Sequence, residues 1–566
     1  MRIEETRYDV IVIGSGGAGL KAALASIDKG ARTLILTKGE PQRSGGTLSA
    51  HYSFCAAPPH SAVGDSTEQF AQDIIRSSEG ISDPKLVDIL TARAYEAIEY
   101  AAQLGVRFDR AEDGSDYDLG WLAGHTHARA FHVGNVVGRE LTRVLLRRLN
   151  KLQAEIHAFT QVLQLHIVNG QYKGVFAYHY PTGEIIYYSS RSVVIATGGG
   201  AQVYELNTNP TEATGDGYSL AMMAGIELLD MEFVQFYPTV LVAPKGTRGL
   251  MFNSGIVIPR GARLKNAHGE DFWDRYQSGE LKQATRDMMS RIMAAEIGAG
   301  NATDNGGLIV DAAMVDDKDI PQLQQQLLTD LGLDASSKKY EAAPGAHYFM
   351  GGIRIDEHAA ATLPGVFAAG ECSGGIHGAN RLAGNALSEN QVFGAIAGEQ
   401  AAHYAMDARH VEADYSPSAD LDSESLEWYK RQWNFLIQPS TGQEPQVTAI
   451  HLIEQLRSVM QRNVGVNRDE EGLARAKIEL QAIEDKLRHK LTIQHATKGY
   501  NRERIKTIDL FHMLNTSKMI VYGAMERRES RGAHNRLDYP NKQESFKASI
   551  ALRMSNDRLS HIEITR

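Results

Sequence analysis

Residues 8–19 read Tyr8-Asp-Val-Ile-Val-Ile-Gly14-Ser-Gly16-Gly-Ala-Gly19. A short apolar run therefore ends in a glycine-rich hexamer of the form GxGxxG, and Ala18–Lys29 continues in a pattern typical of a helix. Arg32–Leu36 is apolar again and predicts a second buried strand. A strand, a glycine turn and a helix in this order form the context in which GxGxxG binds the pyrophosphate of a dinucleotide.

The three glycines of the hexamer have separate physical roles. Gly14 allows the tight turn, Gly16 lets the backbone approach the pyrophosphate, and Gly19 lets the helix pack on the strand. The start of the helix adds N–H donors and the positive end of its dipole. A turn that binds nothing is the alternative, and the strand–helix context makes it the weaker interpretation.

Four further segments favour FAD over NAD. In a typical NAD site the residue after the second strand is acidic. Here that position holds Thr37 or Lys38, which weakens an NAD assignment. Each of the four segments could be a plain turn, but their joint appearance in this order is typical of an FAD site. They are Ile195-Ala-Thr-Gly-Gly-Gly200, Thr214-Gly-Asp-Gly217, Leu363-Pro-Gly-Val-Phe-Ala-Ala-Gly-Glu371 and Asn385-Ala-Leu-Ser388.

Composition excludes several classes of function. The chain has 566 residues, too many for one hydrophobic core, and its net charge of -10 gives no bulk case for nucleic-acid binding. Cys55 and Cys372 are too few to ligate an iron–sulfur cluster, so onward electron transfer needs another molecule. We find no signal peptide and no apolar stretch long enough to cross a bilayer. A cytoplasmic location is predicted, with membrane association only through a partner.

Five longer segments are similar to one known family. In this order they resemble the succinate dehydrogenase/fumarate reductase flavoprotein family, which includes L-aspartate oxidase, and the resemblance covers essentially the whole chain. The Ala-His-Tyr-x-Met-Gly-Gly and His-Gly-Ala-Asn-Arg-Leu elements are highly specific. The segments are Asp230–Thr239, Ala346–Gly352, Gly370–Ser373, His377–Leu387 and Arg528–Pro540.

The resemblance implies an α/β fold. It is a Rossmann-like FAD-binding domain with an inserted α+β capping domain, followed by a C-terminal helical domain and a tail. Helix-patterned charged segments at 423–434, 445–463 and 468–489 agree with the helical domain. The implied bounds are 1–231 and 346–410 for the FAD-binding domain, 232–345 for the capping domain, 411–525 for the helical domain and 526–566 for the tail.

The same resemblance assigns residues to the cofactor and to the chemistry. It implies hydride transfer between flavin N5 and a carbon next to a carboxylate of a small substrate, with the proton passed by Arg286. His347 and Arg381 match the carboxylate anchors, and Tyr237 and Thr239 lie in the second subsite. The implied FAD-binding residues are Gly14, Gly16, Gly17, Gly19, Thr37, Lys38, Ser44, Gly45, Thr47, Thr197, Gly198, Asp216, Glu371, Arg381, Ala386 and Leu387.

Three positions depart from the family pattern. The histidine that carries covalent FAD in membrane-bound members is Gly45 here, and His51 is six residues further on, so non-covalent FAD is predicted. The family's His-Pro-Thr begins with Tyr237, which can donate a hydrogen bond but cannot become cationic. The glutamate of the proton relay falls on Ser254, with Arg260 out of register.

His125, His127 and Arg129 allow more than one interpretation. The region approaches the flavin in the family, yet alternating polar residues also fit a solvated strand edge. The His-x-His pair suggests a metal, but no matching third ligand is evident, and no metal site is predicted.

Three functions therefore compete. The first is an FAD-dependent reductase or dehydrogenase of a fumarate- or succinate-type carboxylate, exchanging electrons with an iron–sulfur or other electron-transfer subunit. The second is an L-aspartate-oxidase-like enzyme that uses oxygen or fumarate. The third is the flavoprotein subunit of an iron–sulfur complex with a non-dicarboxylate substrate, as in adenylylsulfate reductase.

Overall fold

The computed structural model describes residues 2–50, 53–59, 64–111, 114, 116–252, 257–276, 281–316, 338–409, 421, 427, 429, 433, 447–495, 497–555 and 558–565. His51, Ser254 and the predicted helix at 423–434 lie outside these residues, apart from isolated positions of that helix. The described helices are α1 (Gly17–Asp28), α2 (Thr67–Ser77), α3 (Pro84–Leu104), α4 (Val137–Lys151), α5 (Asp216–Met223), α6 (Trp273–Tyr276), α7 (Arg286–Gly298), α8 (Asn385–Arg409), α9 (Ala449–Asn463), α10 (Glu470–His489) and α11 (Arg502–Glu526).

The described strands form five sheets. They are β1 (Arg2–Ile13), β2 (Thr33–Leu36), β3 (Phe54–Cys55), β4 (Leu119–Gly120), β5 (Ala130–Phe131), β6 (Glu155–His157), β7 (Thr160–Val168), β8 (Gln171–His179), β9 (Glu184–Ile195), β10 (Leu228–Leu229), β11 (Val234–Leu241), β12 (Arg263–Lys265), β13 (Leu308–Asp311), β14 (Lys339–Phe349), β15 (Gly352–Arg354), β16 (Val366–Ala368), β17 (Ser373–Gly374), β18 (Asn467–Arg468), β19 (Asn535–Arg536), β20 (Ala548–Ser555) and β21 (Arg558–Thr565).

The largest sheet confirms the β-α-β opening and positions the glycine turn. Its order is β6-β2-β1-β9-β8-β7, and β16 also pairs with β9. Strands β2 and β9 run parallel to β1, so their carboxyl ends meet at Gly14. Val10, Ile11 and Val12 are fully buried because helices cover the sheet, which explains the continuous apolar run. Ligands of such open sheets bind at this carboxyl edge.

One strand is longer than the sequence pattern predicts. Glu184–Tyr188 and Ser192–Ala196 are separate pieces in the sequence pattern, but the structure joins them in β9. The strand pairs antiparallel with β8 near its start and parallel with β1 along its length. No Gly or Pro interrupts residues 184–195, so nothing forces a break between the two halves.

A second sheet carries the residues that face the glycine turn. Its order is β11-β14-β13-β12, and its core includes Phe252, Leu264 and Met293 from α7. Strand β14 ends beside the large sheet and carries His347, while α7 starts at Arg286. The sheet falls in the stretch for which a capping domain is predicted, and the bounds of that domain stay predictions.

Buried ion pairs fix the C-terminal segment to the start of the second sheet. Arg527 is fully buried, and its Nε lies 2.5 Å from Glu232 Oε1 and its Nη2 3.3 Å from Asp230 Oδ1. Glu529 Oε1 lies 3.3 Å from Arg527 Nη1 and 2.6 Å from Arg531 Nε. Asp230 and Glu232 precede β11 directly, so the tail holds the base of that strand.

Membrane-spanning helices were sought in the part of the chain that the structure describes. There, no helix is both long and apolar enough to cross a bilayer.

We expect Arg527→Met to destabilise the protein by about 3–5 kcal/mol, because it removes the cation that pairs with the buried Asp230 and Glu232, while Glu529 keeps Arg531. The thermal midpoint should fall by about 3–4 °C, because a chain of 566 residues has a large unfolding entropy. The adjacent Arg528 is exposed and supplies the control, because Arg528→Met should leave the midpoint unchanged. Equal midpoints for the two variants would contradict a stabilising role for the buried cluster.

Candidate functional site

A cavity of about 410 Å³ opens at the carboxyl edge of the large sheet. It extends from the glycine turn after β1 to Arg286 at the start of α7. All of the predicted FAD-binding residues line it except Gly19, and so do Arg286, His347, Arg381 and Tyr237. The structure therefore brings together residues from positions 14 to 387 around one space.

The glycine turn is shaped by close contacts. Gly14 has a φ of +114°, and a Cβ there would lie 2.2 Å from Ala196 O. A Cβ on Gly19 would lie 2.1 Å from Gly14 O, so α1 could not pack against the turn. A Cβ on Gly16 would meet only Thr47 Oγ1, at 3.9 Å. Gly14 and Gly19 are thus required by the protein itself, whereas Gly16 faces the cavity and leaves room for a phosphate.

The positive charge of Lys38 is balanced by carboxylates of the protein. Its Nζ lies 3.0 Å from Asp216 Oδ1, 2.5 Å from Thr214 Oγ1 and 3.7 Å from Asp509 Oδ1 on α11. Burial disfavours the ammonium, but the two carboxylates outweigh it and raise the pKa of Lys38. Burial opposes ionisation of Asp216 too, yet Lys38 leads the interactions that bring its pKa down to about 2. The Lys38–Asp216 pair therefore forms a fixed polar part of the cavity wall, and Lys38 offers no unpaired positive charge to a ligand.

Glu371 follows β16 and lines the cavity. Burial raises the pKa of Glu371 to about 7, although the Phe349 N–H donates to its Oε1 at 3.0 Å. A Cβ on Gly199 would lie 2.1 Å from the same oxygen, so the carboxyl group is held tightly against the backbone. An acid at a strand end of this kind binds ligand hydroxyl groups.

Arg381 is a buried cation that meets few protein acceptors. Only 6% of the residue is exposed, Nη2 donates to Gln235 Oε1 at 3.0 Å, and the buried Nε has no hydrogen-bond partner in the described residues. Its guanidinium lies 4.2 Å from the ring centre of Tyr348. Burial, and then the charge of Arg286, lower the pKa of Arg381. Such a group is stabilised by an anionic ligand.

Arg286 and His347 approach the cavity from the second sheet. Arg286 is the first residue of α7 behind the cap residue Thr285, and its guanidinium lies 5.1 Å from the ring centre of Tyr237. His347 Nδ1 lies 2.8 Å from Thr208 Oγ1, and its ring centre is 5.5 Å from that of Tyr237. Burial, Arg381 and Arg286 lower the pKa of His347 well below its usual value, so its imidazole is neutral.

Several predicted residues lie elsewhere. Thr239 is fully buried and donates its hydroxyl to Phe252 O at 2.6 Å, so it supports β11 and does not line the cavity. Arg260 is exposed and also lies outside the lining, so it does not replace the relay residue at this wall.

His125 and Arg129 are buried, so the solvated-edge interpretation is wrong for these two residues, whereas His127 is half-buried. Arg129 is buried and pairs with Asp65 at 2.5 Å and Asp73 at 2.6 Å, while His125 Nε2 lies 2.8 Å from Ala383 O. The stretch supports the loop before Gly384 from behind. Within the described ranges, no group of three or more His, Cys, Asp or Glu side chains could hold a metal ion.

Sequence reasoning missed four polar residues of the site. Gln161 donates to Asp216 at 2.9 Å, Gln235 accepts from Arg381, and Thr208 and Asn209 hold His347. The Asn-Thr-Asn-Pro turn at 207–210 and the spacing of Gln235 before Tyr237 were visible signals. Neither has a periodicity that indicates which way the side chains point.

Comparisons with known proteins agree with this geometry. The family model described as FAD binding domain matches residues 9–387, and that described as fumarate reductase flavoprotein C-term matches 453–565. One subunit of the fumarate reductase (CoM/CoB) of Methanothermobacter marburgensis is 34% identical over 98% of each chain. L-aspartate oxidase of Streptomyces coelicolor is 30% identical, over 98% of this chain and 93% of that protein. Mycobacterium smegmatis Sdh1, solved in complex with UQ1, superposes with a TM-score of 0.89 at 30% identity, covering 100% of this chain and 94% of that one.

The fold and the cavity define an FAD-dependent oxidoreductase. The chain belongs to the succinate dehydrogenase/fumarate reductase flavoprotein family. The Rossmann-like fold, the FAD cofactor and the enzyme class predicted from the sequence are thereby confirmed. The site fits FAD in its own right, because Gly16 opens on the cavity at the start of α1 and Glu371 offers a buried acceptor.

We expect Gly19→Ala to disrupt the turn, because the added Cβ would overlap Gly14 O. The purified variant should lose most of its bound flavin, and its thermal midpoint should fall by about 1–3 °C. Gly298→Ala is the matched control, since a Cβ there meets no atom within 4 Å. Full flavin content in Gly19→Ala would show that α1 can move away from β1, against the packing described here.

Proposed function

We propose that this enzyme reduces a small dicarboxylate of the fumarate type, or oxidises the corresponding saturated acid, and exchanges electrons with a separate redox partner. An iron–sulfur or other electron-transfer subunit is the partner class that we favour. When bound, FAD supplies hydride transfer between flavin N5 and a substrate carbon. The glycine turn at 14–17 and the start of α1 would hold its pyrophosphate, and Glu371 its hydroxyl-bearing chain.

The observation that carries this proposal is the buried Arg381. Its guanidinium has one hydrogen bond to Gln235, and no carboxylate lies within 4.0 Å among the described side chains. An unpaired buried cation is unfavourable, and a substrate carboxylate would supply both its counter-charge and its acceptors. Arg381 is held in place by Tyr348, whose hydroxyl donates to the buried Glu389 at 2.5 Å. The anchor is therefore preorganised.

Arg286 is assigned to proton transfer. It is half-buried at the cavity wall, whereas Arg381 is enclosed and fixed by Tyr348 and Gln235. Of the two arginines, Arg286 is thus the one that solvent protons can reach. The burial of Arg381 strengthens the field that a bound carboxylate would feel. His347 and Tyr237 complete the wall as neutral hydrogen-bonding groups.

Anaerobic titration of the reduced holoenzyme with a carboxylate panel, read at the flavin absorption band, tests this function. We expect fumarate to reoxidise the flavin, and Arg286→Ala to slow the reaction about 10²- to 10⁴-fold, as loss of a proton donor does. Arg263→Ala is the control, because this arginine belongs to the same sheet with a side chain 67% exposed. A rate of flavin reoxidation by fumarate that is unchanged in Arg286→Ala would contradict the assignment.

An L-aspartate-oxidase-like reaction is the second candidate, favoured by the 30% identity to such an enzyme. An amino-acid substrate needs an acceptor for its ammonium group. The carboxylates among the lining residues are Glu212, Asp216 and Glu371, and Asp216 is already paired with Lys38. Steady peroxide formation with L-aspartate would establish the oxidase. If no carboxylate of the panel reoxidised the reduced flavin, the third candidate would be favoured, with a substrate of another class.

Non-covalent attachment of FAD is supported by the backbone at Gly45. This residue has a φ of +100°, in the left-handed region that favours glycine, and its Cβ position lies 3.4 Å from Gly16 Cα. A histidine there would be strained by this backbone conformation, although its Cβ would make only an ordinary contact with the glycine turn. The position that carries the covalent bond in the resembled family is thus built for glycine.

Acid precipitation of the purified enzyme should therefore release all of its flavin into the supernatant. The denatured polypeptide should show no flavin fluorescence on a gel, because no covalent bond joins the flavin to the chain. A member of the family with covalent FAD serves as the positive control for the assay. Fluorescence that migrates with this chain would contradict non-covalent binding and point to an attachment site elsewhere in the sequence.

A further inference from the structure

The loop at 202–210 holds His347 through its backbone. Thr208 N donates to Ala346 O at 3.0 Å, and Ala346 N donates to Leu206 O at 2.9 Å. Asn209 Nδ2 donates to the carbonyl oxygen of His347 at 2.7 Å. The loop and the end of β14 therefore form one rigid unit, so small changes at Thr208 act on the imidazole and not on the chain path.

The hydroxyl of Thr208 decides which imidazole nitrogen carries the proton. Its Oγ1 lies 2.8 Å from His347 Nδ1 and 3.5 Å from Asn209 Nδ2. The amide group of Asn209 is oriented by its bond to a carbonyl oxygen, so Nδ2 can only donate to Thr208. The hydroxyl has one proton and two lone pairs, and among the described residues no acceptor other than His347 Nδ1 lies within hydrogen-bond distance of it, so donation to Nδ1 is the arrangement that satisfies its proton. The neutral ring then carries its own proton on Nε2.

The charges around the ring make this choice important. Arg381 in the loop after β17 and Arg286 on α7 face His347, and both disfavour a cationic imidazole. The ring of Tyr237 from β11 packs against the imidazole, with 5.5 Å between the ring centres. A neutral histidine attracts a carboxylate through an N–H but repels it through a lone pair. The tautomer therefore decides whether His347 helps or hinders substrate binding.

We propose that Thr208 is a positioning residue that fixes the Nε2–H tautomer of His347, so that a neutral histidine donates a hydrogen bond to the substrate carboxylate. The proposal rests on the carboxylate-reducing function proposed above and deepens it. Arg381 supplies the charge for the anchor, and His347 supplies direction without charge. Thr208 acts only through His347 and does not touch the reacting atoms.

A mutant cycle on the holoenzyme tests this role. Thr208→Val keeps the shape and removes the hydroxyl, while Thr208→Ser keeps the hydroxyl and is the matched control. The dissociation constant of fumarate is read from its perturbation of the oxidised flavin spectrum. We expect about a three- to tenfold rise in Thr208→Val, the range for one lost hydrogen bond, with KM rising more than kcat changes. Thr208→Ser should stay within about twofold of the unmodified enzyme.

The second arm uses a His347→Ala background. There, Thr208→Val should add no further loss, because a residue that acts through His347 has nothing left to position. An equal loss from Thr208→Val in both backgrounds would overturn the proposal, as would equal effects of valine and serine. Flavin content and thermal midpoint of each variant identify a merely structural defect, which would move both and count against the positioning role.

The pH dependence separates a neutral from a cationic histidine. With a neutral donor, the fumarate dissociation constant of the unmodified holoenzyme should stay constant from about pH 6 to pH 8. A cationic donor would lose its charge as the pH rises, so the constant would increase about tenfold per unit above its pKa, which would overturn the proposal. If no carboxylate perturbs the unmodified enzyme, the proposed function fails together with this inference. A normal response that is unchanged in Thr208→Val overturns the inference alone.

Discussion

The close approach of α1 to the end of β1 sets the geometry of the whole molecule. Gly14 faces Ala196 O and Gly19 faces Gly14 O at distances that leave no room for a Cβ. This packing places the start of α1 at the carboxyl edge of the sheet, where β9 and β16 also end. Because three strand ends and one helix start meet there, a single cavity can hold both a nucleotide and the group that reacts with it.

Two cations line the cavity and differ in their partners. Lys38 meets two carboxylates of its own chain, and its charge is balanced before any ligand arrives. Arg381 meets an amide oxygen and an aromatic face, and its charge remains available. The same desolvation acts on both groups, so their different partners distinguish a structural part of the wall from the proposed binding site. Net charge says nothing about this difference.

Neutral hydrogen-bonding groups surround the part of the cavity where we propose that the substrate binds. His347, Tyr237 and Thr208 all line the cavity, and burial and the nearby arginines lower the pKa of His347 so that its imidazole is neutral. With two arginines nearby, a third cation would raise repulsion in a dry site without adding specificity. The tail cluster around Arg527 holds Asp230 and Glu232 just before β11, and therefore fixes the strand that presents Tyr237.

The order of amino acids alone was enough to locate the glycine turn, the family and most of the residues that line the cavity, because positive φ angles, strand periodicity and linear motifs are local properties. Arg381 and His347 were found in this way. The folded chain was needed to show that Lys38 is paired with Asp216, 178 positions away, and that Thr239 turns toward Phe252 and not the cavity. It was also needed to show that Thr208 meets His347, 139 positions away. Such pairings depend on the path of the whole chain through space, and no window of sequence contains that path.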